Sequence, residues 1–334
     1  MKFSLRLNND LPIARYIELA QAAERLGFAQ FWVSHDLFLR SAWVILSAVA
    51  QATTRIEIGT CIVNPYTMNL AEIAMQAATL DELSHGRFNL GLGAGAGDFL
   101  SWVGVTQAQP LAAMRESIVV LRRLWAGERV AANGAFVKGW THEAYLRAPH
   151  TPVRRIPIYL GAMSARMLRL MGELADGGLP LLFPPEHFAN VKPLIEQGAA
   201  RTGRAFADVD VAACVWCAIA NDREAARDAL VEKIAYYGHT LSPLILQQLG
   251  LSADDFAPLR QAVIVEGNLT KGKRLVTEAM LQIGIVGTAT DVMRRCEGLA
   301  ALGARHLSFG PPLGPDPLAA LEVLGTQVIP HFRF

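Results

Sequence analysis

The segment from Ile56 to Asp98 reads as strand, turn, helix, tight turn, strand and glycine loop, an order that restricts the chain to a parallel α/β fold. Ile56 to Thr60 is a short run suited to a strand. Cys61-Ile62-Val63 prolongs it until Asn64-Pro65-Tyr66-Thr67, where asparagine and proline supply turn chemistry. Asn69 is placed to N-cap a helix in which Ile73, Ala77 and Leu80 recur near helical spacing, and Ser84-His85-Gly86 closes it. Phe88 to Leu92 is a second buried strand. Two apolar strands joined by one helix make a right-handed parallel crossover, and parallel sheets bind ligands just beyond the carboxyl ends of their strands. Both such ends carry distinctive loops here, TCIVNPYT and GAGAGD.

The same alternation continues along the chain. Further strands are expected at Phe3–Leu7, Phe31–Val33, Ile158–Leu160, Leu179–Phe183, Val209–Ile219 and Ala304–Phe309. Between them, helices are expected at Pro12–Leu26 with Gly27 as C-cap, at Ala42–Ala52 capped by Ser41 or Asp36, and at Ala165–Leu174. Others follow at Arg223–Tyr237 opened by Asp222, Asp291–Leu302 and Pro317–Val328. Eight strands alternating with helices predict a (β/α)8 TIM barrel, α/β in class, as a single domain over residues 1–334. A plain barrel needs roughly 250 residues. The surplus is assigned to a hairpin excursion at about 130–146, turning at Asn133-Gly134, and to a mostly helical insertion at about 236–282. That insertion lies between strand seven and the last helix–strand unit. The 52% hydrophobic content suits parallel strands buried on both faces.

A net charge of +1 with no basic block excludes nucleic acid and anionic membrane as partners and leaves small-molecule chemistry. No run approaches the roughly 20 apolar residues of a membrane span. The start, MKFSLRLNND, lacks the apolar region of a signal peptide, so a cytoplasmic enzyme is expected. Cys61, Cys214, Cys217 and Cys296 are too few and scattered for a disulfide framework. Cys214 and Cys217 form a CxxC spacing inside a strand, where they point to opposite faces, so no metal site is expected.

Candidate site residues cluster at strand ends. Arg6 and Asn8 alternate with Phe3, Leu5 and Leu7; if the apolar face packs outward, Arg6 lines the upper lumen and needs an anionic partner. An exposed Arg6 on a frayed strand is the alternative. His35-Asp36 follows the second strand, where a histidine beside a carboxylate can hold one tautomer and exchange a proton. The alternative for that pair is a helix cap. Gly91 to Gly97 has a GxGxxG-like spacing, but the acidic residue a dinucleotide fold needs falls at Glu116, inside a helical pattern. Gly93, Ala94 and Gly95 are therefore read as a backbone stretch able to approach a flat ring or phosphate. Gly161-Ala162-Met163-Ser164 feeds a helix N-terminus and offers N–H groups to an anion, or is an ordinary strand-to-helix loop. Asp176 is expected to be structural, and Lys271, Lys273 and Arg274 to form a solvated face or, as the alternative, to reach an acidic substrate or cofactor tail.

The NPYT turn after GTCIV, the TLDELSHGR segment and the GLGAG strand end together resemble the bacterial luciferase-like superfamily. The likeness is greatest to its deazaflavin-dependent branch, related to methylenetetrahydromethanopterin reductase, and runs over nearly the whole chain. It implies an oxidoreductase transferring hydride between coenzyme F-420 and a small organic substrate, commonly as a homodimer. It also implies a non-prolyl cis peptide at Cys61–Ile62 backing the ring, with Asn64 at the ring edge and the phosphate-bearing tail at Gly161, Ala162, Met163 and Ser164. His35 or Asp36 would manage a proton. Relatives read Asp-His where this chain reads His35-Asp36, so which of the two takes the histidine's place stays open. The reductases carry glutamate at the position matching Arg6. That departure counts against their substrate and assigns Arg6 to orienting an anionic or carbonyl-bearing one. A flavin mononucleotide (FMN) dependent monooxygenase on the same barrel is the runner-up, followed by a non-catalytic flavin-binding relative.

Overall fold

The computed structural model describes residues 1–147 and 154–332; of the span 1–334 expected of the domain, 148–153 and 333–334 lie outside the described residues. In chain order the first elements are β1 (Lys2–Leu7), α1 (Ile13–Leu26), β2 (Gln30–Val33), α2 (Ala42–Ala52), β3 (Glu57–Thr60), α3 (Leu70–Leu83) and β4 (Phe88–Gly93). Next come α4 (Gly97–Ser101), α5 (Pro110–Trp125), β5 (Ile158–Gly161), α6 (Ala165–Leu174), β6 (Gly177–Gly178), α7 (Phe188–Ala200) and β7 (Asp210–Ile219). The chain then forms α8 (Arg223–Tyr237), α9 (Pro243–Gln248), α10 (Ala253–Arg260), α11 (Leu269–Arg274) and α12 (Glu278–Leu281). It closes with β8 (Gly284–Gly287), α13 (Ala289–Ala301), β9 (His306–Leu313) and α14 (Pro317–Val323).

Strands β1 to β7 and β9 form a closed parallel TIM barrel: β1 pairs with both β2 and β9, β9 with β7, and β7 with β6. The ends of the helices follow local chemistry. Gly27 takes φ 84° to end α1, where a side chain would be strained, and the Asn69 and Asp222 side chains accept backbone N–H bonds at the starts of α3 and α8.

Register decides which face each side chain takes. Ser4 pairs with Gln30 and Arg6 with Trp32, so these four point into the lumen while Phe3, Leu5 and Leu7 join the core beneath the helices. The lumen is filled, and glycine makes the filling possible. A Cβ on Gly59 would fall 2.2 Å from the Trp32 ring, and one on Gly177 would fall 2.2 Å from the Tyr159 ring. The indole and phenol meet edge-on at 4.9 Å.

Three expectations are corrected. The strand expected at Leu179–Phe183 narrows to Gly177–Gly178 plus a bridge between Leu181 and Cys214, because Pro180 has no N–H to give to a ladder. The excursion at 130–146 is no regular hairpin: one bridge joins Ala132 to Trp140, and the Glu116 carboxylate holds the turn by accepting from the N–H groups of Ala135, Phe136 and Val137. The third concerns the insertion, which is helical from α9 to α12 as expected but ends in β8, an extra strand that pairs with the upper part of β7 from Trp216 to Ile219. The preceding helix α8 packs against β7, β8 and β9, and thus reaches the carboxyl end of the barrel.

Candidate active site

The carboxyl end of the barrel carries the chemistry. There β3 runs into the peptide Cys61–Ile62, which is cis, and the next residue, Val63, bridges to Leu92 on β4. The Ile62 side chain lies against two glycines: a Cβ on Gly93 would meet Ile62 Cγ1 at 2.9 Å, and one on Gly161 would meet Cγ2 at 3.0 Å. These glycines leave room for Ile62, which forms an apolar platform between β4 and β5. Asn64 is buried; its Oδ1 accepts from Tyr66 N, Thr67 N and Thr67 Oγ1, which shapes the turn, and its amide group faces Gly95. Gly95 has φ 75°, a conformation that side-chain-bearing residues rarely adopt, and Gln107 Nε2 donates to the carbonyls of Ala94 and Gly95.

At β5 the Gly161-Ala162-Met163-Ser164 segment leads into α6, with Ser164 Oγ accepting from Met167 N as a cap. Met163 packs at the edge of a second apolar cluster, which contains Phe183 and Trp216 and extends into α8, α9, α10 and α12. Cys61 packs against the cluster that holds Cys214, whose thiol donates to the Ala212 carbonyl, and the neighbouring Cys214 thiol, then burial, push the Cys61 thiol up. The CxxC pair divides as its strand demands: Cys214 packs beside Trp32 in the lumen, and Cys217 faces the outer core.

The pair after β2 is split by the fold. His35 Nδ1 accepts from Ala42 N at 3.1 Å and so caps α2, the role expected of Ser41 or Asp36, and burial lowers its pKa. Asp36 instead shares a charged neighbourhood with Arg6, Lys233 and Asp10. Burial pushes its carboxyl up, Asp10 adds to that, and Arg6 and Lys233 oppose it. Arg6 is buried, and its Nε and Nη2 have no hydrogen-bond partner. Leaving such donors unmet normally costs about 1–3 kcal/mol each.

Lys233, on α8, was not legible as a site residue. Its Nζ lies 3.7 Å from the Tyr237 ring centroid and 5.5 Å from that of Trp216. Burial, then Arg6, lowers its pKa to about 8, against the opposing pull of Asp10 and Asp36. The only local signal was a lysine four residues before a tyrosine, common on any helix. Lys273 pairs with Asp228 and Glu232, and Lys271 with Glu266, as on a solvated face. Asp176 ties Arg122, Arg155 and the N–H of Ile158 together at the other end of the barrel. The described residues hold no cluster of three or more His, Cys, Asp or Glu able to bind a metal, and no helix among them is long and apolar enough to cross a membrane.

Residues 2–306 match the family model of luciferase-like monooxygenases. The chain belongs to the luciferase-like family. Among its curated relatives is the 5,10-methylenetetrahydromethanopterin reductase of Archaeoglobus fulgidus, 31% identical over 100% of both chains. The structure of the coenzyme F420-dependent tetrahydromethanopterin reductase from Methanopyrus kandleri superposes with a TM-score of 0.91 at 30% identity, covering 99% of each chain. An F420-dependent secondary alcohol dehydrogenase, 22% identical with a TM-score of 0.79, shares the luciferase-like fold over 100% of both chains.

Proposed function

We propose that this luciferase-like protein is an oxidoreductase that transfers hydride between coenzyme F-420 and a small organic substrate. The reading is carried by identity to F420-dependent reductases along the full length of the chain, and the residues at the mouth fit such a group. Two features fit it: the apolar platform of Ile62 and the Gly95 backbone beside the Asn64 amide. When bound, the deazaflavin supplies a ring carbon that takes or gives a hydride.

The chain's own residues do the rest. In this reading Cys61 and Ile62 back the ring and Asn64 meets its edge, with Gly93, Ala94 and Gly95 shaping that side. The backbone N–H groups of Gly161, Ala162, Met163 and Ser164 at the start of α6 receive the phosphate-bearing tail. Asp36 holds or releases a proton at a carboxylate oxygen, helped by burial that favours its neutral form. His35 supports Asp36 from the adjacent position by fixing the start of α2. Phe183 and Trp216 keep water from the substrate side, and Arg6 orients the substrate. We read the enzyme as cytoplasmic and homodimeric.

Anaerobic titration of cofactor-free protein with F-420 and with FMN tests the assignment. Tighter binding of F-420 is expected; preference for FMN overturns it in favour of the monooxygenase.

A further inference from the structure

Three adjacent strands build a notch at the barrel mouth. On β9, Gly310 pairs with Trp216 of β7, and a Cβ on Gly310 would fall 2.3 Å from Arg6 Nη2, so the Arg6 guanidinium of β1 lies across a bare glycine. Arg6 is 6% exposed, with Nε and Nη2 unmet. From above, α8 holds Lys233 Nζ 3.7 Å from the Tyr237 ring centroid and 5.5 Å from that of Trp216. Among the described residues no carboxylate comes within 4.0 Å of either Arg6 or Lys233 to form an ion pair. Two cations brought to one notch with no carboxylate paired to either are unfavourable unless an anion joins them. Asp36 is near both but forms no ion pair with either. The walls beside the notch are apolar: the Phe183 and Trp216 rings lie 5.0 Å apart, with Met163 and Leu181 packed at their edge.

We propose that Arg6 and Lys233 form the subsite for the carboxylate of a small, otherwise apolar organic acid, which is the substrate. A guanidinium fork takes a carboxylate through two parallel bonds, and the ammonium closes the third side. The aromatic wall receives the hydrocarbon part. The word substrate rests on the hydride-transfer reading; the anion subsite rests on the protein alone.

The test uses benzoate and its neutral isostere benzamide, titrated by calorimetry into cofactor-free and F-420-loaded protein. Benzoate is expected to bind at least tenfold tighter than benzamide. Arg6→Met and Lys233→Gln are each expected to reduce benzoate affinity at least fivefold and leave benzamide unchanged. Lys233 sits on a partly exposed helix position, so its variant serves if Arg6→Met does not fold. Equal affinity for the two probes, no benzoate binding, or a preference that survives the substitutions overturns the proposal. Loss of F-420 binding with the benzoate preference intact counts against the cofactor reading only. The reverse pattern counts against the subsite only.

Discussion

The two ends of one lumen treat charge in opposite ways. At the amino end, Asp210 accepts from Lys2 Nζ at 2.7 Å and Tyr159 OH at 2.7 Å and bonds His306 Nδ1 at 2.8 Å, while His306 Nε2 meets Ser4 Oγ at 2.9 Å. Gln30 links the Tyr159 hydroxyl to Glu57, and Asn89 donates to the same carboxylate. Burial pushes the Asp210 carboxyl up, but His306 and Lys2 outweigh it and hold it well below the usual carboxylate range. Burial lowers the pKa of His306 itself, against the opposing pull of Asp210. At the carboxyl end, Arg6, Asp36 and Lys233 are as enclosed yet form no ion pair with one another. A satisfied buried network holds a fold together; an unsatisfied one is kept for something that arrives later.

Breaking the amino end is expected to have the largest effect. Asp210→Ala leaves Lys2, Tyr159 and His306 without their shared acceptor and is expected to remove about 3 kcal/mol from the urea unfolding free energy. The sign with pH follows from the depressed carboxyl. Its contribution is fully present above the ordinary value near 4 and is lost as pH falls through the lower folded value, so Asp210→Asn flattens the acid limb of the stability curve. An unchanged unfolding midpoint in Asp210→Ala removes the network from the stabilising interactions.

At the carboxyl end the balance reverses. Asp36→Asn is expected to lower kcat about 10²-fold with little change in the unfolding midpoint, and a near-normal kcat takes Asp36 out of proton transfer. Arg6→Met keeps the volume and deletes two orphaned donors, so the cofactor-free protein is expected to gain about 1 kcal/mol in stability. A loss of stability instead makes Arg6 a structural residue like Asp210. The smallest effect is expected at His35→Ala, about 0.5 kcal/mol from the lost cap on α2, with a smaller fall in kcat than in Asp36→Asn. A larger fall than in Asp36→Asn reverses their roles.

Most of the barrel was legible because its signals are local. Gly27, Asn69 and Asp222 mark helix ends through backbone chemistry that needs no partner, and the alternation of Ser4 and Arg6 with Phe3, Leu5 and Leu7 fixes the two faces of β1. The position of the cis peptide came from resemblance alone, since a peptide isomer leaves no compositional trace. What stayed hidden is what depends on distant residues. Glu116 looked like any helical glutamate until the turn at 135–137 folded onto it, and Cys214 packs in one cluster with Cys61 while Cys217 lies in another. Lys233 was hidden for the same reason, because nothing within Arg223–Tyr237 says that the helix leans on the barrel mouth.

The placement of α8 ties the insertion to the site. The helix that carries Lys233 belongs to the barrel, and its Ile234 joins an apolar cluster shared by Phe183 and Trp216 of the barrel and by Ile245, Phe256 and Met280 of the insertion. A change of packing in the insertion is therefore felt at Lys233 through α8, while Arg6 stays fixed in its strand.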